Sequence, residues 1–276
     1  MDYFTALILG LVQGLTEFLP ISSSAHVSIV GQFLGREDPG AAFTAITQLG
    51  TELAVLIYFW RDIVTIIRKW CLSLVGKVAK SDPDVRMGWL VIVGSIPIGL
   101  LGVLFKDQIE TSLRSLWITA TMLLVFALVI MLAERVGRQE RELTELTWKH
   151  GIGFGLFQAL ALIPGVSRSG GTIAGGLFMG YTRKAAARYS FLLAIPAVMA
   201  SGGLQVVEVV GGNAEGSGTA WGPIFAATAV AFLVGYAVIA WFMKFIETHT
   251  FTVFMIYRII LALVLFALLG TGTISA

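Results

Sequence analysis

Apolar residues along this chain come in long continuous runs, not in alternation. A helix that crosses a bilayer needs about 20 mostly apolar residues. Six stretches meet that requirement, at roughly 41–60, 87–105, 115–133, 187–207, 222–243 and 251–270. Membrane strands would alternate over about ten residues, and these runs do not. The first 35 residues differ. Residues 3–19 are apolar apart from Thr5, Gln13, Thr16 and Glu17; Pro20 and the polar cluster Ser22, Ser23, Ser24 and His26 follow, then a short apolar run to Leu34. A cleavable signal peptide fits poorly, because Asp2 makes the start acidic and no tidy small-residue cleavage site follows. A plain span also fits poorly, since the polar cluster comes too early. The pattern predicts a broken pair of half-helices that enters the membrane and returns. Such backbone is tolerated only where protein or a wet cavity surrounds it.

The same pattern recurs. At an offset of 145 positions, Gly10, Leu11, Gln13, Leu15, Ser22, Ser24, Gly31, Phe33 and Gly35 fall on Gly155, Leu156, Gln158, Leu160, Ser167, Ser169, Gly176, Phe178 and Gly180 without a gap. Each half then reads as a broken hairpin followed by three spans, and an odd number of spans turns the second half over. The predicted fold is an all-α polytopic membrane protein built as an inverted-topology repeat, an arrangement whose sites lie where interrupted segments meet. It forms one membrane domain over residues 1–276: repeat 1 at about 1–135, a cytoplasmic linker at about 136–149 and repeat 2 at about 150–276, with re-entrant hairpins at about 3–35 and 150–180.

Composition agrees with this picture. Hydrophobic residues make up 57% of the chain and charged residues 13%, against about 25% charged in soluble domains. Mean hydropathy is +0.85. A formal net charge of +2 supplies no field for nucleic acid, so no nucleic-acid partner is expected. The single cysteine, Cys71, cannot form a bridge within the chain; it is expected in an interfacial cytoplasmic helix. Charge also orients the spans. Loop 61–86 carries Arg61, Arg68, Lys69, Lys77, Lys80 and Arg86, loop 134–150 carries Arg135, Arg138, Arg141 and Lys149, and loop 208–221 has neither Lys nor Arg. The excess of basic residues on cytoplasmic loops puts the first two inside, the third outside, and both termini outside.

Ionisable and polar groups at membrane depth are costly and mark function. The first hairpin supplies Gln13, Glu17, Ser22, Ser23, Ser24 and His26; Gln13 and Glu17, four apart, share a helical face. The second supplies Ser167, Arg168, Ser169, Gly170 and Thr172 in a Gly-rich run. Its backbone N–H groups can approach an anion closely, and Arg168 offers a planar fork suited to phosphate. One hairpin reads as an acid–base and nucleophile set, the other as a phosphate cradle, with Glu17 and Arg168 compensating each other's charge. The same residues also suit a proton-coupled or ion-coupled carrier. Gln48 and Glu52 sit one turn apart in the third segment and can face the interior. Glu52 is read as a supporting acid, an ion site or the partner of Arg258. Arg258 is expected to snorkel to the interface. His150 and His249, at span ends, are expected to be solvated. Tyr58, Trp60, Trp89, Trp117, Trp221 and Trp241 read as interface anchors.

At the runs Gln13-Gly14-Leu15-Thr16-Glu17-Phe18-Leu19-Pro20-Ile21-Ser22-Ser23-Ser24-Ala25-His26 and Pro164-Gly165-Val166-Ser167-Arg168-Ser169-Gly170-Gly171-Thr172 the sequence resembles the undecaprenyl-diphosphate phosphatases of the bacitracin-resistance type. The resemblance extends over essentially the whole chain. It implies hydrolysis of undecaprenyl diphosphate to the monophosphate and inorganic phosphate, recycling the lipid carrier of wall polymers. It further implies a site reached from the outer face of the bacterial plasma membrane, and bacitracin resistance. Many members of that family carry glutamate where this chain has Gln13, so a role there as an essential base or anionic metal ligand does not carry over. Ser24-Ala25 stands where Thr-Gly is common.

The roles implied are Ser23 as nucleophile or holder of the attacking water, Glu17 as general base or metal ligand, His26 as proton shuttle or alternative nucleophile, and Arg168 as phosphate clamp. Ser167, Ser169, Gly170 and Thr172 complete the cradle, with Gln13, Ser22, Ser24, Gln48 and Glu52 in support. A divalent cation, Mg²⁺ or Ca²⁺, is expected at Glu17, with Gln13 offering a neutral oxygen; no organic cofactor is expected. The expected partners are a polyprenyl diphosphate and membrane lipids, and a homodimer is compatible with the reading. A lipid or ion-coupled carrier or flippase on the same repeat is the rival.

Overall fold

The computed structural model describes residues 1–35, 41–211 and 221–274; the ends of the expected external loop 208–221 are described, and its middle lies outside them. The helices are α1 (Tyr3–Thr16), α2 (Ser23–Phe33), α3 (Ala41–Tyr58), α4 (Trp60–Leu74), α5 (Pro83–Leu104), the short α6 (Lys106–Glu110), α7 (Leu116–Val136), α8 (Trp148–Ala159), α9 (Arg168–Phe178), α10 (Arg183–Val210), α11 (Trp221–Thr248) and α12 (Thr252–Gly270). Among the described residues the only extended pairing is an isolated bridge between Arg141 and Tyr181.

Helices α5, α7, α10, α11 and α12 are long and apolar enough to cross a membrane. The chain bends by 78° between α3 and α4, and the two make a sixth candidate only if taken together. Helix α4 accounts for the bend. It exposes Trp60, Val64, Ile67 and Leu74 yet carries Arg61, Asp62, Arg68 and Lys69, the mixed surface of a helix that lies in an interface. Cys71 is exposed on it. The outer faces of the long helices show Leu100, Val103, Phe225, Leu233, Ile260 and Leu263, a display suited to a lipid solvent.

The offset of 145 reappears in the backbone. Helix α2 spans 23–33 and α9 spans 168–178, the same registers. The residue before each is a serine in the left-handed region, with φ 72° at Ser22 and 73° at Ser167, a conformation few non-glycine residues adopt. Helix α1 packs on α11, α8 on α5, and α3 lies against α10 and α11. The equivalent glycines set the first two approaches: a Cβ at Gly10 would stand 2.4 Å from the carbonyl oxygen of Ala227, and one at Gly155 2.3 Å from that of Gly94. Only a hydrogen at Cα permits backbones this close.

Charge collects at one end of the bundle. Arg86 donates to the Thr144 carbonyl at 2.7 Å, tying the two basic loops together. At the same end Arg183 pairs with Glu134, Lys184 with Glu247, and Arg188 with Asp62. The Lys106–Glu208 pair, 2.9 Å long, marks the opposite end.

Candidate active site

The site forms where the two broken helices meet. Helix α1 stops at Thr16, the chain turns through Pro20, and α2 restarts at Ser23. Glu17 stands at the break, 8% exposed. Four donors surround its carboxylate. Gln13 Nε2 and Ser23 Oγ each donate to Oε2 at 2.6 Å. Gln48 Nε2 donates to Oε1 at 2.8 Å, and Arg168 Nη2 pairs with the same oxygen. So Gln13, one helical turn before Glu17, does share its face, and Arg168 does compensate its charge. Gln48, on α3, is drawn into the same cluster. Few arrangements hold a carboxylate and a guanidinium in apolar surroundings, and mutual pairing with full hydrogen bonding is the main one.

Ser23 and Glu17 stand in the relation of hydroxyl to base, within the reach that proton transfer requires. His26, one turn further along α2, is 9% exposed and belongs to a different pair. Its Nδ1 lies 2.7 Å from the Ser22 carbonyl and its Nε2 2.7 Å from the Tyr257 hydroxyl. A carbonyl only accepts, so Nδ1 donates; in the neutral ring Nε2 then accepts from the tyrosine. The rings also stack, with centroids 5.5 Å apart. The sequence reading missed Tyr257. Its one signal was its place next to Arg258 inside an apolar run.

The polar residues of the second turn serve mainly to hold it together. Ser167 Oγ accepts from the Gly170 N–H at 3.1 Å, capping α9. Ser169 Oγ donates to the Leu19 carbonyl at 3.1 Å, joining the second turn to the first. Thr172, fully buried, donates to the Arg168 carbonyl at 2.7 Å and shares a hydrogen bond with Ser190, which the sequence reading also missed. Arg168 alone of this set reaches the Glu17 cluster. Ser22 and Ser24 share a hydrogen bond of 3.2 Å between their hydroxyls. Ser24 is exposed.

Two expectations are corrected. Arg258 does not snorkel: it is 0% exposed. Its guanidinium donates to the carbonyls of Pro20 (2.9 Å), Gly165 (2.7 Å), Val166 (3.2 Å), Leu123 (3.1 Å) and Met122 (3.3 Å). Pro20 and Gly165 are equivalent positions of the repeat, so one guanidinium clasps both turns. Its partners are carbonyls and not Glu52. Glu52, 2% exposed, instead lines a narrow cavity with Glu17, Arg168, Ser169 and Ser190, and its Oε1 has no hydrogen-bond partner among the described residues. The second correction is His150, which is half-buried and bonds the Tyr181 hydroxyl at 2.8 Å. His249 is exposed, as expected.

For a divalent cation the donor set cuts both ways. Both Glu17 oxygens already accept from other groups, and the described residues contain no group of three or more His, Cys, Asp or Glu able to hold a metal. Beside them, however, the buried Gln13 Oε1 has no hydrogen-bond partner among the described residues, an orphan acceptor of the kind a hard cation takes. These donors fit an ion that arrives with an anionic ligand rather than one resident in a protein cage.

The chain matches the family described as bacitracin resistance protein BacA over residues 6–264. It is 63% identical to the undecaprenyl-diphosphatase of Pseudarthrobacter chlorophenolicus over 277 residues, covering 100% of both chains. It is likewise 63% identical over 277 residues to the protein of that name from Micrococcus luteus, again over 100% of both. With undecaprenyl-diphosphatase 2 of Streptomyces coelicolor it shares 56% over 287 residues, covering 100% of this chain and 97% of that one. A match spanning nearly the whole chain, on the turns that build the Glu17–Ser23–Arg168 cluster, places this protein in the bacitracin resistance protein family.

Proposed function

We propose that this protein hydrolyses undecaprenyl diphosphate to undecaprenyl phosphate and inorganic phosphate, as the names of its relatives indicate for them. The observation that carries the reading is the buried Glu17 carboxylate, holding the Ser23 hydroxyl at 2.6 Å on one side and pairing with Arg168 on the other. Phosphoryl transfer depends on positioning and charge neutralisation, and this cluster supplies both.

In the proposed sequence Arg168 takes the terminal phosphoryl oxygens. The Ser23 proton passes to Glu17 as Oγ attacks the terminal phosphorus. The bond from phosphorus to the bridging anhydride oxygen breaks, and that oxygen leaves on the lipid monophosphate. Water then attacks the phosphoserine, giving inorganic phosphate and returning the proton to Ser23. His26, held by Tyr257, shuttles the proton of that water. Ser167, Ser169, Gly170 and Thr172 keep the loop beneath Arg168 in shape. Gln13, Gln48 and Glu52 support Glu17, and Ser22 and Ser24 shape the first turn. A divalent cation, Mg²⁺ or Ca²⁺, would be held by Glu17 and Gln13 Oε1, and would neutralise charge on the diphosphate.

The matched registers of α2 and α9 support the inverted repeat with two re-entrant hairpins, and the basic end of the bundle supports its orientation. In that orientation the basic end is cytoplasmic, the termini are outside, and the site opens to the outer face of the bacterial plasma membrane. There, recycling of the carrier would confer bacitracin resistance.

The test is phosphate release from a C55 or C15 polyprenyl diphosphate by detergent-purified protein, with and without EDTA. Wild type should release phosphate, and Arg168→Ala should be at least about a hundredfold slower, as expected for loss of a charged transition-state contact. Well-folded wild type that releases none, even with added Mg²⁺ or Ca²⁺, would overturn the reading in favour of a carrier.

A further inference from the structure

Glu52 brings an unmet bond to the site. It lies on α3 one turn after Gln48, which donates to Glu17 Oε1 at 2.8 Å, so the two share the face turned towards the cluster. Glu52 is 2% exposed, and its Oε1 has no hydrogen-bond partner among the described residues. The cavity that it lines with Glu17, Arg168, Ser169 and Ser190 has a volume of about 10 Å³, roughly the space one water molecule requires. The rest of that lining, among the described residues, is apolar.

The hydroxyl hydrogens around this cavity are already committed. Ser169 gives its hydrogen to the Leu19 carbonyl at 3.1 Å. Thr172 gives its own to the Arg168 carbonyl at 2.7 Å. A hydroxyl has one hydrogen, so Ser190 must be the donor in the Ser190–Thr172 bond. Ser190 Oγ is left with acceptor capacity only. Glu17 accepts from four donors, the bonding of an ionised carboxylate, and Arg168 pairs with it. A second ionised carboxylate, on Glu52, would set two negative charges against one guanidinium in apolar surroundings, an excess charge that is costly there. A Glu52 carboxyl that keeps its hydrogen avoids that cost and supplies the donor that Ser190 can accept.

We infer that Glu52 holds a proton and heads a hydrogen-bond chain that positions Arg168. The chain runs from the Glu52 O–H through one water in the shared cavity to Ser190 Oγ. It continues from the Ser190 hydroxyl to Thr172 Oγ1, and from the Thr172 hydroxyl to the Arg168 carbonyl. All its hydrogens point the same way, an arrangement in which each bond strengthens the next. The chain ties α3 and α10 to the first residue of α9, whose side chain is the phosphate clamp. Glu52 thus acts through Arg168, as a positioning residue, and leaves Glu17 the charged acid of the cavity. The kinetic consequence rests on the hydrolytic reading above.

The experiment compares full-length wild type with Glu52→Gln, Glu52→Met and Ser190→Ala, by infrared difference spectroscopy and by phosphate release from C15 polyprenyl diphosphate. The difference between wild type and Glu52→Gln should contain the C=O stretch of a protonated carboxylic acid. Ser190→Ala should shift that band, because the acid loses its acceptor. Glu52→Met should lower kcat/KM about tenfold, the worth of one buried hydrogen bond. Glu52→Gln, which keeps a neutral donor, should recover most of that loss. Glu52→Met combined with Ser190→Ala should cost little more than either alone, since both break one chain. An additive loss of about a hundredfold overturns the chain. So does Glu52→Gln as slow as Glu52→Met, which would make Glu52 a charged counter-ion of Arg168. If Glu52→Met does not fold, Ser190→Ala serves: kcat/KM should fall about tenfold and amide exchange over 168–172 should quicken, and no change in either overturns the chain.

The infrared measurement needs no turnover, so it separates the two readings. Wild type that shows the Glu52 band without releasing phosphate removes the hydrolase and leaves the proton on Glu52. Wild type that releases phosphate without the band removes the chain and leaves the hydrolase.

Discussion

The two broken helices have matching backbones and opposite chemistries. Their second halves begin and end at equivalent residues, 23–33 and 168–178, and each follows a left-handed serine. Yet where the first carries Glu17, Ser23 and His26, the second carries Leu162, Arg168 and Gly171. The acid and the hydroxyl lie on one side of the junction, and the guanidinium occupies Ser23's register on the other. A duplicated turn with the same residues on both sides would have set two carboxylates or two cations against each other in apolar surroundings. Divergence at these positions made the junction self-neutralising, with Arg168 paired to Glu17.

The largest effects should come from the positions that diverged. Glu17→Ala should slow phosphate release by about a hundredfold or more, because the base and Arg168's counter-charge go together. Leu162→Ala, at the equivalent place, should leave turnover within about threefold; a comparable loss at both positions would break the contrast. Next comes the residue that holds the two turns alike. Arg258→Met should lower stability by at least about 3 kcal/mol, since buried carbonyls lose a charged donor. Hydrogen exchange should then rise in 17–22 and in 163–167 together. Exchange that rises in one turn only would show that the clasp is one-sided.

Smaller and symmetric changes should follow at the helix contacts. Gly10→Ala and Gly155→Ala should each cost about 1–3 kcal/mol through backbone overpacking, read as falls in thermal midpoint of similar size. The smallest effect separates the two caps. Ser167→Ala should cost about 1 kcal/mol, visible as a lower midpoint, while Ser22→Ala, which removes no cap, should cost clearly less. Equal costs would mean that Ser22 supports α2 by a route other than capping.

Much of the site could be read from spacing. Gln13 and Glu17 are one helical turn apart, and they bond. The paired serines located the repeat, and the structure restarts both helices at the same registers. Glu17 and Arg168 are isolated charges in apolar sequence, and each finds the other because an unpaired charge there is too costly. Residues whose role depends on contacts distant in the chain were harder to read. Arg258 lies near a span end, which on sequence alone suggested snorkelling, but it reaches carbonyls 238 and 93 positions away. Tyr257 offered only its place beside Arg258 and Ser190 offered no local pattern, and their partners are His26 and Thr172.

By itself, then, the sequence determined the helical membrane class, the approximate positions of the long helices, the duplicated turns and the two opposite charges, because hydrophobic run length, periodicity and the cost of lone charges act locally along a chain. Tertiary structure alone decided that Ser23 bonds Glu17 while His26 bonds Tyr257, that the second turn's hydroxyls cap α9 and tie it to the first turn and to α10, and that one buried guanidinium joins both turns. Those outcomes depend on which donors and acceptors meet once helices far apart in sequence have packed, and buried hydrogen-bonding groups must find their partners there.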